Sequence, residues 1–321
     1  MIMNYKIESI AFYLPEKIIT NKYLAEEAGI DVEFLENKIG IKERRIAVNE
    51  TVSEMSAKAI TKLLDAAGID KSEIDLLLIC TQNPDYKLPT TACLVQNALQ
   101  LRASSICFDV NLGCSGFTYS LPIAGNFIKT GIVKKALLVM SDQYSKLINY
   151  KDKNTASLFG DAASAILLTA CNENEGVLDI DFGTDGSGGQ NLIAFNSGTV
   201  QQSDKNTELY MNGREIFKFS ITVVPESVNK ILSKNNLKVT DIKHFIFHQA
   251  NKYMLGEIKK KLQLTDNQMI IDMENYGNTV SSTIPIALKN LMDKNELKKG
   301  DLLVFSGFGV GLSWGTVLYK F

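Results

Sequence analysis

The stretch FDVNLGCSGFTYS, residues 108–120, passes from an apolar strand-like run to a helix-like run, and Cys114 stands at the change. Gly113 and Gly116 fit a tight turn with close backbone approach. Backbone N–H groups and the positive end of a helix dipole stabilise a thiolate at such a place and lower its pKa. The stretch therefore predicts a strand, a turn and a helix with Cys114 as a candidate nucleophile. The alternative is a small buried hydrophobe, as most free cysteines are.

The order of elements around this stretch occurs a second time in the chain. Apolar runs alternate with helix-like stretches, which is typical of an α/β fold. Corresponding positions are separated by 168 residues from Ile74 to Ile242, 163 from Asp109 to Asp272, 164 from Cys114 to Asn278 and 164 from Lys134 to Lys298. We therefore predict two pseudo-duplicated α/β halves, residues 1–172 and 173–321, that share a site where their strand ends converge.

Composition excludes several classes of function. The chain is 45% hydrophobic and 22% charged, as expected of a globular enzyme, and its 34 basic and 36 acidic residues create no global field for nucleic acid. No apolar run reaches the roughly 18 residues that span a bilayer, and the first residues do not resemble a signal peptide, so we expect a cytoplasmic protein without membrane contact. Five cysteines without CxxC spacing indicate neither a disulfide framework nor a metal site.

The chain has only two histidines, His244 and His248, and both lie in the strand-like KHFIFHQAN. With a strand period of two they share a face, but they are about 13 Å apart along the strand. Only one of them reaches a site at the strand's carboxyl end. We predict that His248 is that residue and that His244 is structural or on the surface.

Asn278 of YGNT occupies the position in the second half that mirrors Cys114 in the first. A Gly-Asn pair before a helix is also an ordinary turn and N-cap. The duplication favours a chemical role in addition, because it brings Cys114, His248 and Asn278 to neighbouring strand ends.

Six motifs together resemble the ketoacyl-acyl carrier protein synthase III family of the thiolase fold. They are GIKERRI (40–46), GCSGFTYS, FGDAASA (159–165), HQAN, YGNTVSST and FGVGLSWG. The resemblance spans essentially the whole chain. It implies a thiolase-like α/β fold with two pseudo-duplicated halves, layered α-β-α-β-α.

The resemblance also implies an activity. Cys114 would accept an acyl group from a thioester, and His248 and Asn278 would hold the oxygen of a malonyl thioester as decarboxylation makes it an enolate. Backbone N–H groups of Cys114 and Val310 would form a second oxyanion hole. Acyl-coenzyme A or acyl carrier protein and malonyl carrier protein would be substrates, with no further cofactor or metal, in fatty acid or secondary metabolite biosynthesis.

Further residues are assigned by the resemblance alone. Those expected to bind substrate are Phe34, Lys38, Leu88, Lys153, Gly213, Arg214, Asn251 and Phe308. Those expected to bind the carrier protein are Lys218, Lys252, Lys260 and Lys261. A homodimer is expected, in which Leu88 of one subunit helps to close the other's acyl pocket.

The clamp that holds adenine in this family is a tryptophan and an arginine, and the chain has Phe34 and Lys153 instead. Phenylalanine has a smaller face, and lysine has no planar guanidinium to stack on a base. We therefore expect a carrier protein or another thioester to rival coenzyme A as acyl donor.

Two other functions stay open on the sequence. One is an acyltransferase of the same fold that moves the acyl group from Cys114 to an oxygen, nitrogen or unusual carbon acceptor. The other is a non-catalytic partner subunit, against which the intact cysteine, histidine and asparagine argue. A thiolase is disfavoured because no cysteine lies near the C-terminal FGVG.

Overall fold

Two mixed β-sheets organise the computed structural model, which describes residues 3–321. The strands are β1 (Met3–Tyr13), β2 (Lys17–Thr20), β3 (Glu43–Ile46), β4 (Leu76–Cys80), β5 (Ile106–Val110), β6 (Ala136–Asp142), β7 (Ala162–Asn172), β8 (Gly176–Thr184), β9 (Leu192–Ala194), β10 (Leu209–Met211), β11 (His244–Phe247), β12 (Leu302–Gly309) and β13 (Ser313–Lys320). The α-helices are α1 (Asn21–Ala28), α2 (Val32–Phe34), α3 (Val52–Ala67), α4 (Thr91–Leu99), α5 (Gly116–Lys129), α6 (Lys153–Ala156), α7 (Gly213–Lys234), α8 (Lys252–Leu262) and α9 (Thr283–Asp293). A π-helical turn spans Leu35–Ile39.

The two sheets repeat one strand order, which confirms the predicted pseudo-duplication of the fold. The first sheet has the order β1-β7-β6-β4-β5 and the second β8-β13-β12-β11, read from corresponding edges. In the first sheet β4 runs parallel to both β5 and β6, and in the second sheet β11 runs parallel to β12. The other strand pairs of the two sheets are antiparallel. Because the carboxyl ends of parallel strands meet at one edge, the loops that follow the parallel strands lie together at that edge of each sheet.

The repeat, in which Asp272 corresponds to Asp109 of β5, predicts a strand that is nearly absent from the second sheet. The run 269–273 corresponds to β5 but forms only a single bridge, between Met269 and Phe245. The side chain of Gln249 forms hydrogen bonds where a paired strand would form them. Its amide nitrogen donates to the carbonyls of Phe247 (2.7 Å) and Ile270 (3.2 Å), and its oxygen accepts from the N–H of Asp272 (2.7 Å). A side chain thus satisfies the backbone groups that a strand partner would otherwise satisfy.

Helices cover both sheets and separate them. α3 and α4 pack on the outer face of the first sheet and α7 packs on the second, while α5 and α9 lie between the sheets. The sequences match these positions: most residues of α5 and α9 are buried, whereas α3 is amphipathic and begins with a capping box of Thr51 and Glu54. The predicted layering α-β-α-β-α is confirmed.

The turn at 173–175 connects the two sheets, because β7 ends at Asn172 and β8 begins at Gly176. Asn4 ties the turn to β1, since its amide donates to the carbonyls of Glu175 and Val177, each at 2.7 Å. The division into two domains at residue 172 stays a prediction. Within residues 3–321, none of the helices combines the length and apolar character needed to cross a membrane.

Candidate active site

Cys114 lies in the loop between β5 and α5, two residues before the helix begins at Gly116. The end of β12 packs directly against it. A Cβ at Gly309, whose φ is +157°, would lie 2.8 Å from Cβ and 3.0 Å from Sγ of Cys114. Only glycine allows this approach. The two halves of the molecule therefore meet at the thiol.

Burial determines the ionisation of Cys114. Burial first, and the nearby carboxyl group of Asp142 second, raise the pKa of the thiol to about 12. The expectation of a lowered pKa was therefore wrong, because the loss of water outweighs the favourable end of α5. Hydrogen bonds from the backbone N–H groups of Cys114 and Val310 offset part of the rise. The resting thiol is neutral, with two N–H donors directed at its sulfur.

Val310 follows Gly309 in the turn between β12 and β13. It is not among the positive-φ residues of the described chain, whereas Gly309 and Gly311 on either side both have positive φ. The two glycines adopt the strained backbone conformations, so a valine fits between them and its N–H still faces Cys114.

His248 directly follows β11, where its N–H donates to the carbonyl of Ser306 at 2.8 Å. The side chain is only 2% exposed, and burial lowers the pKa of the imidazole to about 3. The ring is therefore neutral at physiological pH. Its Nδ1 lies 2.9 Å from Oγ1 of Thr283, and its face is nearly perpendicular to Phe308.

His244 lies at the opposite end of β11, as expected of a structural residue. Its Nδ1 is 3.0 Å from the carbonyl oxygen of Asn267. It borders an open cleft of about 1030 Å³ at the amino ends of the second sheet's parallel strands. Cys114, Asn278 and His248 do not border this cleft.

Asn278 is held by backbone and side-chain hydrogen bonds. Its N–H donates to the carbonyl of Leu158 at 2.9 Å, and its carbonyl accepts from Gly160 at 3.0 Å. Its Oδ1 accepts from the N–H of Val280 at 3.0 Å, which leaves Nδ2 pointing toward Nε2 of His248, 3.5 Å away. Asn278 does not act as the N-cap of α9, which is Ser282, but its Oδ1 closes the ordinary turn at Val280 that precedes the helix.

Cys114, His248 and Asn278 line one cavity of about 70 Å³. Three of the expected substrate residues, Gly213, Asn251 and Phe308, line it too. Apolar residues that the sequence did not single out complete the wall: Leu158, Phe159, Leu192, Met211, Ile216 and Met254. They come from β9, β10, α7, α8 and a loop, so no local pattern could have marked them as one group.

The other expected substrate residues, Phe34, Lys38, Leu88, Lys153 and Arg214, lie outside this cavity. Lys38 lies over the ring of Tyr253, 4.6 Å from its centroid, and Tyr253 in turn stacks on Phe217. Leu88 is 86% exposed.

The four lysines expected to bind a carrier protein are exposed on α7 and α8. Lys218 forms an ion pair with Glu215 (2.8 Å), and Lys260 forms one with Glu257 (2.6 Å). Such surface pairs contribute at most about 1 kcal/mol each, so an acidic partner could displace them.

Comparison with known proteins identifies the family. Residues 108–186 match the family model for 3-oxoacyl-[acyl-carrier-protein] synthase III, and residues 232–321 match the model of its C-terminal part. The chain is 37% identical over 313 residues to the beta-ketoacyl-[acyl-carrier-protein] synthase III of Clostridium acetobutylicum, covering 96% of each chain. It is 38% identical over 320 residues to synthase III 1 of Bacillus anthracis, covering 99% of each.

A solved structure agrees with this match. A crystal structure of a 3-oxoacyl-(acyl-carrier-protein) synthase III superposes with a TM-score of 0.96 at 37% identity, covering 99% of this chain and 100% of the other. Sequence and fold are thus similar over the full length. The chain belongs to the 3-oxoacyl-[acyl-carrier-protein] synthase III family, the thiolase-fold acyltransferases that act as condensing enzymes of fatty acid biosynthesis.

Proposed function

We propose that this chain makes a 3-oxoacyl thioester in two steps, with Cys114 as the acyl carrier and His248 and Asn278 as the donors for decarboxylation. One observation carries the proposal: the three side chains line a single small cavity, and two backbone N–H groups face the sulfur of Cys114.

In the first step, Sγ of Cys114 bonds to the acyl carbon of a thioester. The donor's thiol leaves and takes up the proton that Cys114 loses. The N–H groups of Cys114 and Val310 donate to the oxyanion of the tetrahedral intermediate. Fixed donors of this kind contribute several kcal/mol in a site from which water is excluded.

In the second step, a malonyl thioester binds with its carbonyl oxygen between Nε2 of His248 and Nδ2 of Asn278. Loss of carbon dioxide leaves an enolate whose negative charge these donors stabilise. The enolate carbon attacks the acyl carbon, and the thiolate of Cys114 leaves and takes up a proton from solvent. A neutral imidazole and an amide suit this step, since neither has to release a proton.

Intact-protein mass spectrometry tests both steps. The protein is exposed to a panel of acyl thioesters and then to malonyl carrier protein. We expect an acyl mass adduct that disappears on the second addition, together with a 3-oxoacyl carrier protein product. An adduct that persists while malonyl carrier protein stays intact would contradict the proposed condensation.

We propose that Lys218, Lys252, Lys260 and Lys261 form the docking surface for the acidic carrier protein. They lie on α7 and α8, the helices that also supply Ile216 and Met254 to the cavity wall. A positive surface on these two helices would favour encounter with an acidic partner more than it would raise final affinity.

The donor preference is expected to favour carrier protein over coenzyme A. Phe34 is 38% exposed on the short helix α2, and Lys153 is exposed at the start of α6, so the adenine grip should be weak. We expect kcat/KM for one acyl group to be at least as high on carrier protein as on coenzyme A, with free pantetheine as the reference.

A matched pair of variants checks this expectation. Phe34→Trp should raise kcat/KM for acyl-coenzyme A without changing that for acyl-pantetheine, because it enlarges the stacking face. The prediction is wrong if coenzyme A is clearly the best donor and Phe34→Ala costs about 1 kcal/mol or more with coenzyme A alone.

We also propose a homodimer that is built on the edge of the first sheet. β5 pairs only with β4, all five of its residues are half-buried, and Leu88 extends from a nearby loop. An unpaired apolar edge is usually covered by another chain or element.

Leu88→Gly is therefore expected to lengthen the preferred acyl chain, because it removes a side chain that closes the partner's pocket. Light scattering should give a dimer mass for the unsubstituted protein and for Leu88→Gly. Ile132→Gly, at another exposed apolar position, serves as the control and should keep the parent's donor profile. A monomer, or an unchanged profile for Leu88→Gly, would count against the proposal.

A further inference from the structure

We propose that Thr283 is a positioning residue that sets the tautomer of His248: its hydroxyl donates to Nδ1, so that Nε2 carries the ring proton and donates into the cavity. This inference rests on the proposed role of His248 in decarboxylation. It assigns a task to a residue of α9 that does not line the cavity.

The contact is short and fully enclosed. Oγ1 of Thr283 lies 2.9 Å from Nδ1 of His248, and the two residues are 1% and 2% exposed. Thr283 is the first residue of α9, and His248 directly follows β11. The helix between the sheets therefore holds the ring from the side opposite the cavity.

The need for a donor at Nδ1 follows from the proposed donation by Nε2. Burial keeps the imidazole neutral, so it has one N–H group. If Nε2 donates to the substrate oxygen, Nδ1 is bare and needs a donor. The backbone carbonyl of Val280 also lies within hydrogen-bond reach of the ring, but it can only accept a ring proton, and the Val280 N–H is already bound to Oδ1 of Asn278. Among these groups, only the hydroxyl of Thr283 can donate to Nδ1.

The hydroxyl is free to do so. Its other acceptor is the carbonyl of Val280, at 2.9 Å, which already accepts the backbone N–H of Thr283. Rotation of one hydroxyl hydrogen therefore selects between two arrangements. Directed at Nδ1, it leaves Nε2–H facing the cavity. Directed at Val280, it leaves Nδ1 protonated and Nε2 bare.

The position of Asn278 favours the first arrangement. With Nε2 bare, Nδ2 of Asn278 would donate to it, and only one hydrogen would remain for the substrate oxygen. The separation of Nε2 and Nδ2 is 3.5 Å, at the outer limit of a hydrogen bond. If both nitrogens donate to the substrate oxygen, they form no hydrogen bond to each other, and a long separation is expected.

Nitrogen NMR of the full-length protein, with ¹⁵N in histidine only, tests the inference directly. The chain has two histidines, so two rings are observed. His244 is an internal reference of opposite tautomer, because its Nδ1 faces the carbonyl of Asn267 and must carry the proton. We expect the bare nitrogen, which resonates far downfield, to be Nε2 in His244 and Nδ1 in His248. A bare Nε2 in His248 of the unsubstituted protein would overturn the inference, whatever the reaction proves to be.

Two variants extend the test to the reaction. Thr283→Val keeps the shape but removes the hydroxyl, so His248 should move its proton to Nδ1 and donate to Val280. Decarboxylation of malonyl carrier protein should slow by about tenfold to a hundredfold, while the acyl adduct on Cys114 still forms. Thr283→Ser should restore both the Nε2–H tautomer and decarboxylation. An unchanged tautomer in Thr283→Val would refute the role of Thr283. A changed tautomer with unchanged decarboxylation would uphold it and refute instead the proposed role of His248.

Discussion

Replacing Cys114 by alanine is expected to abolish the acyl mass adduct with every thioester donor. The reason is position rather than acidity, because burial raises the pKa of Cys80 to about 12 as well. Of these two buried thiols, only Cys114 lines the cavity and faces the N–H groups that would hold the oxyanion. Intact-protein mass spectrometry over the donor panel measures the result.

Cys80→Ala and Cys107→Ala are the matched controls, and both should keep the adduct. Cys80 lies within the fully buried β4, and Cys107 lies on the edge strand β5. An adduct on Cys114→Ala would show that another nucleophile carries the acyl group. Loss of the adduct in Cys107→Ala, with the fold intact by circular dichroism, would have the same implication.

Replacing His248 or Asn278 by alanine is expected to slow malonyl decarboxylation by about a hundredfold or more and to leave the acyl adduct in place. Each substitution removes one donor to the enolate oxygen, and the loss of one such donor typically costs about a hundredfold to a thousandfold in rate. The measurement is the release of carbon dioxide from malonyl carrier protein by enzyme that has already been acylated.

Asn278→Asp gives a sharper version of this experiment. The carboxylate keeps an oxygen for the N–H of Val280 but replaces the Nδ2 donor with a negative charge, so decarboxylation should be at least as slow as in Asn278→Ala. His244→Gln is the control outside the cavity and should retain both steps. If acylation fails in the alanine variants while decarboxylation continues, the two roles are exchanged.

The decarboxylation step should also show no histidine ionisation between pH 5 and 8. Burial lowers the pKa of His248 to about 3, so the ring stays neutral across this range and loses that form only in acid well below it. A decline of the rate as pH falls through 6 to 7, removed by His248→Gln, would show that the ring is more accessible to water than its burial indicates.

Sequence alone was sufficient for the family, the repeated α/β fold and the meeting of three polar side chains. The turn around Cys114 and the apolar strands are local patterns, read from alternation and glycine placement. The duplication then supplied the long-range information, since it assigned Asn278 and His248 to strand ends that correspond to that of Cys114. Such repetition is visible in one chain without any alignment.

What depends on burial was decided only by the tertiary structure. The sequence places Cys114 near a helix start and so suggests an acidic thiol, but the pKa is set by the burial of the sulfur, against which the end of β12 packs, and by the nearby charge of Asp142. The same holds for Thr283, which in sequence is an ordinary first residue of a helix. It acquires a partner because α9 lies between the sheets and brings Oγ1 within 2.9 Å of His248. Solvent exclusion and hydrogen-bond partners come from residues far apart in the chain, and no local pattern contains them.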